Sequence, residues 1–174
     1  GARHVVQSEP DENFILGADF NRGVAILKEY NLSYDILVVE RQLPAAVAFV
    51  DRHPDTRFVL DHIAKPRIAD SLMQPWAAQI TELARRENVW CKLSGLVTEA
   101  DLTNWTREQL QPYMETVLEA FGADRLMFGS DWPVCLAACG YRTWFAIVNE
   151  FAQTLSKKEY SAIMGGNAIA AYSL

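Results

Sequence analysis

A chain of 174 residues, half of them apolar and 22% charged, is long enough to bury the core of one domain. Its formal charge of −6 is spread along the sequence with no basic stripe, so nucleic acid and anionic membrane are not expected as partners. No apolar stretch approaches the roughly 18–20 residues that cross a bilayer.

The elements follow a regular rhythm. Arg3–Gln7 reads as a short Val-rich strand and residues 19–31 as an amphipathic helix. Residues 33–39 (SYDILVV) are a second strand. Residues 43–52 are a helix with Pro44 in the first turn, where a missing N–H costs little. Residues 57–62 (RFVLDH) are a third strand, 71–87 a helix and 88–94 (NVWCKLS) a fourth strand. Residues 106–121 open with Thr-Arg-Glu-Gln, a capping-box pattern, and Pro112 predicts a kink or two short pieces. Residues 125–129 are a fifth strand, 141–154 a helix and 156–172 a last helix, opened by Ser-Lys-Lys-Glu and interrupted by Gly165-Gly166. A strand–helix alternation of this kind, with continuously apolar strands, predicts a parallel α/β sheet. The fold is either an open doubly wound sheet or part of a (β/α)8 TIM barrel. No glycine-rich dinucleotide turn follows any strand.

Ligands of such folds sit beyond the carboxyl ends of the strands. Those ends carry Gln7, Glu9, Glu40, Arg41, Asp61, His62, Lys65, Lys92, Ser94, Ser130 and Asp131. Strand alternation predicts His62 inward together with Phe58 and Leu60, with Asp61 turned towards the helices. The same parity puts Asp131 inward above Met127 and Gly129. Each of His62 and Asp131 alone reads equally as a turn residue. Two such groups on one rim point instead to an acid–base or metal-ligand pair.

His4 reads as structural, near the start of its strand, and His53 as a cap on the last carbonyls of its helix. Lys92 is expected outward as a surface charge, and Arg3 fits either face. Lys65 is a solvated lysine or a contact for an anionic substrate. Trp132 stacks on a ring or covers the barrel mouth. Three cysteines, an odd number, fit a reducing, cytoplasmic setting. Cys135 and Cys139, spaced i, i+4, are expected as buried thiols, since a zinc site would need two further ligands nearby.

Four ordered motifs, FVLDHIAKP (58–66), VWCKLSGLVTEA (89–100), DRLMFGSDWPVC (124–135) and GGNAIAAY (165–172), carry a resemblance to a known family. The chain resembles the amidohydrolase superfamily, in the branch of sugar-lactone hydrolases of the fuconolactonase kind, related to 2-pyrone-4,6-dicarboxylate lactonase. The likeness runs over the whole chain as a single domain, 1–174. It implies an incomplete (β/α)8 barrel in which about three βα units lie outside this sequence. The family's first-strand His-x-His pair would be among them, and no His-x-His occurs here. The chain is then expected to be the later part of something longer, to depend on those units for activity, and to expose sheet edges that favour a homo-oligomer.

The resemblance further implies hydrolysis of an aldonolactone, with Asp131 as general base. His62 would polarise the lactone carbonyl or, with Asp131, ligate a metal that does so. Arg3, Lys65 and Trp132 are the candidate substrate contacts. One divalent metal such as zinc and a metal-independent mechanism both stay open. So do two other readings: a metal-dependent decarboxylase of aromatic or unsaturated acids, and a non-catalytic chain.

Overall fold

The computed structural model describes residues 1–174. Its centre is a parallel sheet of five strands: β1 (Ala2–His4), β2 (Tyr34–Ile36), β3 (Phe58–Leu60), β4 (Val89–Leu93) and β5 (Leu126–Phe128). The strands lie in sequence order, β1-β2-β3-β4-β5. A doubly wound sheet would reverse its order at a switch point, whereas a barrel wall advances one strand at a time. The fold is therefore α/β, part of a (β/α)8 barrel, with β1 and β5 as open edges.

The crossovers carry α1 (Ala18–Ile26), α2 (Leu43–Asp51), α3 (Trp76–Ala84), then α4 (Leu96–Glu99) and α5 (Arg107–Phe121). After β5 come α6 (Tyr141–Gln153), α7 (Lys157–Ser161) and α8 (Asn167–Tyr172). Strands and helices are shorter than predicted at most ends. The Pro112 kink does not occur: α5 runs unbroken for 15 residues, capped by the Thr106 hydroxyl on Gln109 N–H. Pro112 lies in the second turn, where its missing donor removes a single ladder bond. The last helix is instead two pieces, α7 and α8, joined by a wide turn at Ala162–Gly166. Ser156 and Glu159 cap α7 reciprocally, as the Ser-Lys-Lys-Glu pattern predicts.

The two sheet faces differ. Tyr34, Ile36, Phe58, Leu60, Val89, Cys91, Leu93 and Leu126 join Phe49, Ile80, Leu83, Val117 and Val148 of the helices in one large core. The opposite, inner face holds a small apolar cluster, Val59 and Met127, covered by Ala171, Ala168 and Tyr172 of α8. Register places Arg3 beside Asp35, Asp35 beside Val59, and Lys92 beside Met127. So Arg3, Asp35 and Lys92 occupy the inner face too. This corrects two expectations. Phe58 and Leu60 point to the helices, and Lys92 is no surface charge.

Candidate active site

The strand-end loops of β3, β4 and β5 build the site. β3 stops at Leu60, and the chain then makes a left-handed turn: His62, Ile63, Ala64 and Lys65 have φ of 54°, 47°, 59° and 51°. Each such residue costs about 1–2 kcal/mol, and a β-branched one such as Ile63 adopts this region rarely. Burial and hydrogen bonding hold it. Ile63 and Ala64 are fully buried, the Trp76 indole donates to the Ile63 carbonyl at 2.7 Å, and Lys65 N–H closes onto the His62 carbonyl at 2.8 Å.

This turn breaks strand alternation at His62, which reaches the rim although Phe58 and Leu60, of the same parity, face the helices, whereas Asp61 keeps the parity of inward Val59. Asp61 faces inward, not towards the helices, and accepts from Arg3 Nη1 at 3.0 Å and Lys92 Nζ at 2.6 Å. Lys92 also donates to Asp35 at 2.6 Å, and the Tyr172 hydroxyl reaches the same carboxylate at 2.8 Å. Burial works against the Lys92 charge, but Asp61 and Asp35 outweigh it and hold its pKa above the ordinary lysine value. Positive and negative groups balance in this network, so it ties β1, β2, β3, β4 and α8 together. Sequence reading missed Asp35 and Tyr172. The available signal was a charge at similar depth in successive apolar strands.

His62 and Asp131 do meet. His62 Nε2 lies 3.5 Å from Asp131 Oδ1, and both side chains are 11% exposed. Asp131 reaches the rim through its own left-handed backbone (φ 52°), with its carbonyl accepting from Cys135 N–H at 2.8 Å. On the other side of the ring, His62 Nδ1 is 2.8 Å from the hydroxyl of buried Ser94. Two glycines give these groups room. A Cβ at Gly95 (φ +71°) would fall 2.8 Å from His62 Cβ, and one at Gly129 would fall 2.9 Å from Ser94 Cβ. Burial pushes the His62 pKa below the ordinary histidine value, against the opposing pull of Asp131 and Asp61. The His62 imidazole thus resists protonation where it faces the Asp131 side chain.

The other candidates divide. Lys65 pairs with Glu99 Oε1 at 3.1 Å. Trp132, adjacent to Asp131, is 63% exposed and free to meet a ligand. Arg3 points inward, with half its side chain exposed. His4 stacks on Phe14 and bonds Glu9 at 2.6 Å, a structural role, although it ends its strand rather than starting it. The His53 side chain does not cap carbonyls, although its backbone N–H donates to the Val50 carbonyl at 2.9 Å. Its ring packs on Phe49 and meets Asn21 Oδ1 at 2.8 Å, joining α2 to α1. Cys135 is buried and Cys139 half-buried.

A catalytic zinc takes about three protein ligands plus water. No three His, Cys, Asp or Glu side chains of this chain converge on one point. His62 and Asp131 supply two donors, so the residues present do not complete a metal site.

An aspartate and a histidine 3.5 Å apart at the strand ends of a barrel wall stand where folds of this kind place their ligand sites. The chain belongs to the amidohydrolase family, whose sequence pattern matches residues 1–174. It is 45% identical to an L-fucono-1,5-lactonase of Burkholderia multivorans, across all of this chain and 62% of that protein. Identity to an L-fucono-1,5-lactonase of Burkholderia ambifaria is 37%, across 100% of this chain and 61% of that one. Among solved structures, an amidohydrolase from Burkholderia multivorans crystallised with bound zinc superimposes with TM-score 0.96 at 46% identity, over 100% of this chain and 64% of that chain. The chain thus spans a little under two thirds of the relatives it matches. The shared fold extends to a putative 2-pyrone-4,6-dicarboxylic acid hydrolase from Pseudomonas putida, at TM-score 0.77 and 23% identity over 98% of this chain and 61% of that one.

Proposed function

We propose that this chain carries the catalytic rim of a hydrolase that opens a small sugar-type lactone by water attack. The observation that carries the reading is the Asp131–His62 approach at 3.5 Å. The lactonase relatives at 45% and 37% identity supply the substrate class.

In this mechanism Asp131 takes a proton from water, and the hydroxide formed adds to the lactone carbonyl carbon. His62, neutral, donates a hydrogen bond from Nε2 to the carbonyl oxygen as negative charge develops there. The tetrahedral intermediate collapses with cleavage of the ring C–O bond. The leaving alkoxide takes the proton held by Asp131, giving the open hydroxy acid. Trp132, Lys65 and Arg3 are proposed to contact the sugar. Asp131 and His62 are also the donors this chain would offer a divalent ion such as zinc. Their number leaves that site incomplete, and no step above runs through it. A cytoplasmic setting and pairing of the open sheet edges β1 and β5 with further chain belong to the same proposal.

The test is a panel of aldonolactones with a pH indicator, run beside aromatic carboxylic acids with CO₂ detection, on the full-length protein that contains this chain. Proton release from an aldonolactone without CO₂ is expected. CO₂ release alone favours the decarboxylase reading, and no turnover of any lactone contradicts the proposal.

A further inference from the structure

We propose that Ser94 is a positioning residue that fixes His62 in the tautomer with its proton on Nε2, facing Asp131. This deepens the function proposed above and rests on its placement of His62 at the substrate carbonyl.

Ser94 is 1% exposed, and its hydroxyl meets His62 Nδ1 at 2.8 Å, with no other side-chain partner. A buried hydroxyl hydrogen left without an acceptor costs about 1–3 kcal/mol. When Ser94 donates to Nδ1, that cost disappears, and Nε2 must carry the ring proton. The N–H then lies on the Asp131 side, 3.5 Å from Oδ1, a separation long for a hydrogen bond that leaves it open to the proposed substrate carbonyl. The other tautomer fails at both ends. Nδ1–H would donate to the serine, the serine hydrogen would lack an acceptor, and the Nε2 lone pair would face a carboxylate oxygen. Burial disfavours the doubly protonated ring.

The surrounding backbone keeps this geometry from relaxing. Ser94 sits in the space left by the absent Gly129 side chain, and His62 in that left by Gly95. The ring itself hangs from the left-handed turn that Trp76 holds through the Ile63 carbonyl. Ser94 therefore decides which nitrogen can donate to the substrate, without touching the substrate.

The test reads the tautomer directly. In the full-length protein that contains this chain, the His62 signals in long-range ¹H–¹⁵N spectra of the imidazoles are assigned by their loss in a His62→Gln variant. Wild type is expected to show His62 protonated on Nε2 and bare on Nδ1. Ser94→Ala is expected to give a mixture of tautomers, and about a tenfold or larger loss in kcat for lactone opening with KM within about twofold. If Ser94→Ala does not fold, Ser94→Cys, close in shape but a weaker donor, gives the same reading. A His62 protonated on Nδ1 in wild type overturns the proposal, as does an unchanged tautomer in the variant that folds. Absence of lactone turnover in wild type would instead count against the proposed function, and the tautomer result would still decide the role of Ser94.

Discussion

A Cβ placed on Gly95 would lie 2.8 Å from the His62 Cβ, on a backbone with φ of +71° that side-chain-bearing residues rarely adopt. Gly95→Ala therefore combines strain with a clash, and urea denaturation should show a loss of roughly 1–3 kcal/mol together with a displaced His62. Lys92 presents the opposite case, a group needed for its charge. Lys92→Met leaves fully buried Asp61 with Arg3 as its remaining cation and is expected to cost about 3–5 kcal/mol by the same measurement. The histidines set a pH window. Burial, then the charges of Arg52 and Lys28, lower the His53 pKa, and burial lowers that of His62. A histidine whose folded pKa lies below its unfolded value of about 6.5 resists protonation when folded. Stability is then intact above about pH 6.5 and falls as pH drops through that value towards the folded pKa. Urea midpoints measured from pH 7.5 down to about 5.5 should decline, and His53→Gln should reduce the slope. His62 and Asp131 were legible in the sequence because each ends an apolar run with a group that has chemistry. The orientation of Asp61 was not. An inward His62 sets the parity that turns Asp61 outward, but the left-handed turn breaks parity at His62, and Asp61, in phase with inward Val59, is the partner that explains Lys92.

The turn at 62–65 is the element on which the site depends. Four consecutive residues without a glycine among them hold positive φ, which local propensity would never predict. Tertiary contacts impose it, the Trp76 indole foremost. Trp76→Phe keeps the ring in the core but strands the Ile63 carbonyl, and a destabilisation of about 1–3 kcal/mol is expected by thermal or urea unfolding. A loss indistinguishable from zero would mean that packing alone holds the turn. Regular elements were easier to read. All five strands and the major helices fall where periodicity and caps put them, because βα units announce themselves by alternating period. Their ends were overdrawn, since apolar residues such as Val38 and Leu37 stay buried beyond the last ladder bond. Pro112 shows the same limit in reverse: a breaker near a capped N-terminus is absorbed when the rest of the helix has a core to pack on.

At the scale of the molecule, the sheet is a barrel wall with two open edges, and its inner face is a balanced ion network closed from one side by α8. The strand order β1-β2-β3-β4-β5 separates the two architectures that the sequence left open. Strands β1 and β5, each with no strand on its outer side, give this chain, studied alone, a reason to associate. Sedimentation should show mass rising with concentration, and a monomer at all concentrations would show that the edges are otherwise protected. The rim that this wall presents carries the proposed reaction, with Asp131 as the proposed base that activates water against a lactone. The direct test is lactone hydrolysis by the full-length protein carrying Asp131→Asn, a near-isosteric change that removes the base and leaves the turn. A fall in kcat of about a hundredfold or more is expected, with KM little changed. A variant that opens the lactone at the wild-type rate would contradict the account.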